Sequence, residues 1–266
     1  MQNSTQTRYH INSLARGLKI LELLAQSREP LTLSRIATDM ALTLPTVYRF
    51  LFTLESLGYV DKDPDMKSYR VSPKVLALGY GAFQSSDLWQ TAHPYLLRAS
   101  RDHGETFNLA ILDGTDILYI DRIKTQKILT INLEIGSKLP AYCTSMGRVL
   151  LAFLPEEQAL KIIEQSSKIP MTSRTVLTTE ALKGILQKVR YDGYAVNDGE
   201  LALELISVAA PVRNRDGRVV AALNMAVNAA QYQKDNIHLK LVPTVKAMAL
   251  KISKALGFHA EANHEK

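Results

Sequence analysis

The stretch LTLSRIATDMALTLPTVYRFLFTLESLGYVDKDPDMKSYRVS, Leu31 to Ser72, decides how the first part of this chain folds. Leu33, Ile36, Ala37 and Met40 fall on one face of a short helix, and ALTL makes a tight turn into a second. Thr43 is the expected N-cap of that second helix, and Pro45 sits in its first turn, where the missing N–H does little harm. Its inward stripe is Leu44, Val47, Phe50 or Leu51, Leu54 and Leu57, closed by Gly58. Thr46, Tyr48, Arg49 and Thr53 are left on the opposite side. Beyond it, YVDKDPDMKSYRVS reads as two short strands around a polar turn at Pro64 to Lys67.

Upstream, Ser13 can cap a helix with Leu14, Leu18, Leu21 and Ala25 at helical spacing, widened by Ile20 and Leu24. The pattern is that of a winged helix-turn-helix, with a plain three-helix bundle carrying a hairpin as the alternative. The exposed residues favour DNA. Thr46, Tyr48, Arg49 and Thr53 offer base-edge contacts, and Lys62, Lys67 and Arg70 offer phosphate contacts.

The rest of the chain is mixed. SPKVLALGYGAF, with Ser72 as cap and Pro73 at the first helical position, reads as a connecting helix ending near Ser85 or Ser86. A helix over Asp87 to His103 leads into two strands meeting at Asp113-Gly114, then a third strand ILTINLEIG. Helices over Met146–Phe153, Pro155–Gln165 and Thr179–Tyr191 follow, then a strand pair around Asp216-Gly217 and a final helix from about Tyr232 to Leu256. The fold class is α+β with one antiparallel sheet in the second domain. The expected divisions are 1–72, a linker helix over 73–85, a second domain over 86–258, and a disordered tail over 259–266.

Bulk properties narrow the function. The chain has 266 residues, 46% hydrophobic and 22% charged, which allows two domains with ample core. No apolar run is long enough for a membrane span and the first ten residues carry no apolar signal region, so the expected compartment is the cytoplasm. A single cysteine, Cys143, excludes an intrachain disulfide and a zinc ribbon. Of the +6 net charge, residues 1–80 hold 10 basic against 7 acidic groups and the remainder 22 against 19, so positive charge is denser at the N-terminal end. The motifs GxSxG and HExxH are absent and the six histidines are scattered, which argues against an enzyme using Cys143, Thr144 or Ser145 as nucleophile. No cofactor or metal is implied.

One further stretch, PAYCTSMGRVLLAF (Pro140 to Phe153), places hydroxyl residues before a continuous apolar helix. With Thr144 or Cys143 as cap, the amides of Ser145, Met146 and Gly147 are unsatisfied donors of a helix start, suited to a carboxylate or phosphate. Gly147 adds room for close approach. The alternative is that Thr144 satisfies those amides itself.

The ordered set SLARGLKILELL, TVYRFLFTLESLGYV, YRVSPKVLALG, GSKLPAYCTSMGRVLLA, DGYAVNDGEL and SVAAPVRNRDGRVVAAL resembles the IclR family of bacterial transcriptional regulators over about Ile11 to Phe258. INLEIGSKLPAYCTSMGRVLLA is most similar to the branch governing aromatic-acid (β-ketoadipate) catabolism. The resemblance implies a winged helix-turn-helix, a linker helix and a GAF-like effector-binding domain, acting as a homodimer or dimer of dimers on palindromic double-stranded operators. It implies a small carboxylate effector held by Ile131, Leu139, Ser145 and Met146 on one side and Asn197, Leu205, Ser207, Asn224 and Ala226 on the other. Asn224 and Ala226 stand where small hydroxyl residues can occur, and Asn197 where an acid can. In that reading Arg35 joins Lys62, Lys67 and Arg70 on phosphates. Arg122 and Arg148 lie near enough to reach a second carboxylate. Other readings are a regulator answering to a sugar acid or 2-oxo acid, and a constitutive DNA-binding protein whose second domain only dimerises.

Overall fold

The computed structural model describes residues 10–84, 86–125, 133–232 and 236–259. The chain divides into two compact units, 1–85 and 86–266.

In the first unit α1 (Asn12–Gln26), α2 (Leu33–Asp39) and α3 (Leu44–Ser56) surround a core of Ile20, Leu24, Ile36, Ala37, Val47 and Leu51, with Val60 and Tyr69 from the wing. Thr32 caps α2 by accepting the amide of Arg35. Ala41, at φ 51°, makes the turn before α3, and Gly58, at φ 76°, ends it. Strands β2 (Val60–Asp63) and β3 (Ser68–Val71) form the wing, joined by a two-residue β1 (Leu31–Thr32) on the far side of β3. Helix α4 (Lys74–Gln84) follows.

Two expectations shift here. Helix α1 starts at Asn12 behind Ile11 with no side-chain cap, so Ser13 lies inside it. Its buried positions are Ile20 and Leu24, whereas Leu14 and Leu18 are more than half exposed and Ala25 is exposed. The apolar residues cover more than one face, and the core takes the one that carries Ile20 and Leu24. On α3, likewise, Leu44 and Leu57 are exposed at the two ends. Thr43 occupies the cap position, but its hydroxyl pairs with Thr46 Oγ1 at 2.9 Å rather than with a backbone amide.

The second unit is built on a six-stranded antiparallel sheet in the order β6-β5-β4-β9-β8-β7. Its strands are β4 (Thr106–Asp113), β5 (Asp116–Ile123), β6 (Lys138–Pro140), β7 (Ala195–Asp198), β8 (Leu205–Arg213) and β9 (Val219–Asn228). Alternation along each strand splits the sheet into two faces. Phe107, Leu109, Val208, Ala210, Leu223 and Met225 meet α5 (Asp87–His103) and the last helix α9 (Val242–Ala255) on one side. Ala110, Ile117, Ala195, Ala209 and Ala222 meet α6 (Ser145–Ala152), α7 (Glu156–Gln165) and α8 (Thr179–Asp192) on the other.

The expected third strand over Ile128 to Gly136 falls partly outside the described residues. Leu133 and Glu134 have no regular structure, Ile135 and Gly136 make a turn, and the strand bonded to β5 is Lys138–Pro140. Strand β7 was not expected. The last α-helix begins at Val242 after a π-helical turn at Ile237–Leu241, later than Tyr232. Of the expected tail, residues 260–266 lie outside the described residues.

Candidate functional sites: a DNA-reading helix and a buried polar cavity

In the first unit the outward face of α3 carries Thr46, Arg49 and Thr53 at helical spacing, beside Tyr48 and the exposed Phe52, whose rings lie 6.4 Å apart. Thr53 donates to the carbonyl of Arg49 at 2.9 Å, and Thr46 is partly buried against Thr43. The guanidinium of Arg49 has no protein partner among the described residues. Phe52, absent from the sequence-based set, completes this face through its exposed ring.

The phosphate candidates are more mixed. Arg35 pairs with Asp39 Oδ2 at 2.9 Å, and Lys62 stands over the Tyr69 ring. Lys67 and Arg70 are exposed, yet the wing also carries Asp61, Asp63 and Asp65, leaving it nearly neutral. Asp63 is occupied in the turn, accepting the amides of Asp65 and Met66.

The second unit holds a cavity under α6 on the inner face of the sheet. Its enclosed volume is about 20 Å³, room for about one water, and the open space at its mouth brings the total to about 420 Å³. Ser145, Asn197, Leu205, Ser207, Asn224 and Ala226 line it, as the resemblance implied, together with Asn108, Tyr119, Arg122, Leu133, Thr144 and Leu201. Strand register sets this arrangement. Arg122 lies opposite Asn108 and Asn108 opposite Asn224 across β5, β4 and β9, while Ala226, Ser207 and Asn197 align across β9, β8 and β7.

Three of the nine expected residues are not part of this lining. Met146 is fully buried in the core, Leu139 packs in the same cluster beyond the cavity, and Ile131 lies outside the described residues.

The helix start behaves partly as expected. Thr144 caps α6 by accepting the amide of Gly147 at 3.1 Å, which takes that amide out of any anion site. The amides of Ser145 and Met146 have no backbone acceptor among the described residues. The room expected at Gly147 is filled by the chain itself, since a Cβ there would stand 2.2 Å from the carbonyl oxygen of Ala141.

Side chains form three separate polar groups. Arg122 Nη1 donates to Asn108 Oδ1 at 2.7 Å, and Asn108 Nδ2 donates to Asn224 Oδ1 at 2.7 Å. Ser145 and Ser207 share a hydrogen bond of 2.8 Å, and Asn197 ties the carbonyl of Cys143 to the amide of Glu200. Arg122 Nε is buried without an acceptor among the described residues, and burial pulls the guanidinium pKa below its usual value against the opposing pull of Tyr119 and Glu134. Burial pushes the Tyr119 hydroxyl up to about 12.

Arg148, the other arginine in question, does not line the cavity. It is buried in a two-pronged ion pair with Glu200 and also donates to the carbonyl of Tyr142. Burial raises the Cys143 thiol to about 11, leaving it a packing residue. Among the described residues no cluster of metal-ligating side chains forms, and no helix is long and apolar enough to cross a membrane.

Known proteins match the chain over both of its units. The IclR helix-turn-helix domain matches residues 13–64, and the C-terminal domain of the bacterial transcriptional regulator IclR matches residues 80–254. The Pca regulon regulatory protein of Pseudomonas putida is 36% identical over 238 residues, 89% of this chain and 81% of that one. A transcriptional regulator from Rhodococcus sp. RHA1 superimposes with a TM-score of 0.79 at 39% identity, covering 93% of this chain and 98% of its own. An IclR homolog from Microbacterium hydrocarbonoxydans, solved in complex with 4-hydroxybenzoate, does so with a TM-score of 0.77 at 25% identity, covering 92% and 98%. With both of its units matched in order, the chain belongs to the IclR family of bacterial transcriptional regulators.

Proposed function

We propose that this DNA-binding regulator reads its operator with α3 and is switched by a small carboxylate, of the aromatic-acid class, bound in the cavity of the second unit. The observation that carries this reading is Arg122. A buried guanidinium nitrogen without an acceptor is costly, and a carboxylate placed beside it and the free amides of Ser145 and Met146 relieves that cost. Tyr119, Leu133, Leu201 and Leu205 offer walls for a ring or chain, while Ser207, Asn197 and Asn224 offer hydrogen bonds to hydroxyls. The likeness to a Pca regulon regulator and to a 4-hydroxybenzoate complex supports the aromatic class.

Regulation follows from differential affinity. An acid that binds one arrangement of the protein better shifts the population toward it, and about 1 to 3 kcal/mol of coupling changes operator affinity about 5- to 150-fold. The exposed Ile11, Leu14 and Leu18 on α1, with Leu76 and Leu78 on α4, support association with further copies of the chain, as a homodimer or dimer of dimers.

The eight hydrogen-bonding side chains of the cavity favour a second reading, a hydroxylated sugar acid or a 2-oxo acid. Thermal melting of the full chain with 4-hydroxybenzoate, protocatechuate, gluconate and pyruvate separates them. At a hundredfold excess over Kd the responding acid raises stability by about 2.7 kcal/mol and Tm by roughly 5 to 10 °C. A rise with 4-hydroxybenzoate and none with its amide supports the aromatic carboxylate. A rise only with gluconate or pyruvate replaces it, and no rise with any favours a second domain that only dimerises.

A further inference from the structure

The end of the DNA-reading helix and the start of the linker helix meet in a compact set of bonds. The last carbonyls of an α-helix lack intrahelical donors and carry the negative end of its dipole. At the end of α3 the amides of Leu57, Gly58 and Tyr59 close the carbonyls of Thr53, Glu55 and Leu54, and the carbonyls of these three capping residues are supplied in turn by residues 72 to 74. Lys74 Nζ donates to the carbonyl of Leu57 at 2.7 Å and stands over the Tyr59 ring at 4.6 Å. Ser72 Oγ donates to the carbonyl of Gly58 and accepts the amide of Lys74 at 3.2 Å, and the Ser72 amide donates to the carbonyl of Tyr59 at 2.9 Å. Three consecutive carbonyls just past α3 are therefore held by Ser72, ahead of α4, and by Lys74, its first residue. Farther along, α4 leaves this packing: Leu76 and Leu78 are exposed, and nothing lies within 4 Å of where a Cβ on Gly79 or Gly81 would stand.

We infer that Ser72 and Lys74 are positioning residues for DNA recognition, forming the joint that fixes the aim of α3 relative to the linker helix. A helix read by its side chains must sit within a fraction of an ångström of its base edges, so loosening its C-terminal anchor costs sequence discrimination before it costs general attraction to DNA. Lys74 acts through main-chain carbonyls and not as a phosphate contact. A lysine on phosphate and a lysine on a helix end give different salt behaviour, which makes the two roles separable.

The test uses the full chain and a DNA sequence selected from a random pool by the wild-type protein. Affinity for that sequence and for a scrambled one is measured across a range of salt for wild type, Lys74→Met, Lys74→Arg and Ser72→Ala, with thermal melting alongside. The inference predicts that Lys74→Met lowers the ratio of selected to scrambled affinity about tenfold, leaves the scrambled affinity and its salt slope unchanged, and is largely rescued by Lys74→Arg. Equal loss on both DNAs with a slope reduced by about one overturns it in favour of a phosphate contact. An unchanged ratio in both Lys74→Met and Ser72→Ala overturns it as well. A wild-type chain that enriches no sequence instead overturns the assignment of α3, on which the inference rests.

Discussion

The two sites of this molecule are made in opposite ways. The face proposed to read DNA belongs to one helix, is exposed, and leaves Arg49 without a protein partner among the described residues, with positions set by a local period of 3.6 residues. The cavity draws on β4, β5, β7, β8, β9 and α6, is buried, and its side chains mostly hold one another. The surface face should therefore lose function without losing stability. The cavity frame should do the reverse, except at Arg122, whose Nε has no acceptor among the described residues.

The largest effect tests the frame. Arg148→Met leaves Glu200 as a buried carboxylate without its cation, and a loss of about 3 to 5 kcal/mol in chemical denaturation is expected. Adding Glu200→Leu should recover much of it. A single Arg148→Met variant as stable as wild type would show that this pair is not part of the frame.

Alkaline pH probes the same burial. Tyr119 and Cys143 have folded pKa values of about 12 and about 11, raised from 10.0 and 9.0 chiefly by burial. The folded chain keeps protons that the unfolded chain releases, so this stability is whole below about pH 9 and falls as pH rises through both folded values. Between pH 8 and 10.5 the loss is about 2 to 3 kcal/mol, and Cys143→Ala should remove most of the slope. Urea titrations at the two pH values read it directly.

On the exposed face the effects are smaller and move off stability. Arg49→Ala should cost about 1 to 3 kcal/mol on the selected operator, relax the preference at one base pair, and leave Tm within about 1 °C. Lys67→Ala should weaken every DNA alike and reduce the salt slope by about one. A Tm loss at Arg49 comparable to that at Arg148 would erase the contrast between the two sites.

That contrast also explains what could be read from sequence. Helical periodicity placed α2, α3, α5 and α8 within a residue or two, because each carries its own apolar stripe and all but α3 a side-chain cap as well. It misjudged which face of α1 is buried, since Leu14, Leu18, Ile20 and Leu24 surround the helix and only tertiary packing chooses among them. The two-residue β1 and the short β7 have too little alternation to stand out, and they exist because β3 and β8 offer them an edge. In the cavity, Asn108 had a signal: a polar residue in the apolar run TFNLAIL, facing inward opposite Asn224. Arg122 gave a weaker one, and its role emerges only once register sets it beside Asn108. Leu139 and Met146 come from the matching motif, but their side chains turn into the core.

The most direct measurement is calorimetric titration of the full chain with 4-hydroxybenzoate, comparing wild type with Arg122→Met. A buried charged hydrogen bond lost from a carboxylate costs about 2 to 3 kcal/mol, so the account predicts saturable binding to wild type and binding some 30- to 150-fold weaker to the variant, with Tm of the free proteins little changed. Equal affinity in the two proteins would contradict the assignment of Arg122 as the group that holds the acid.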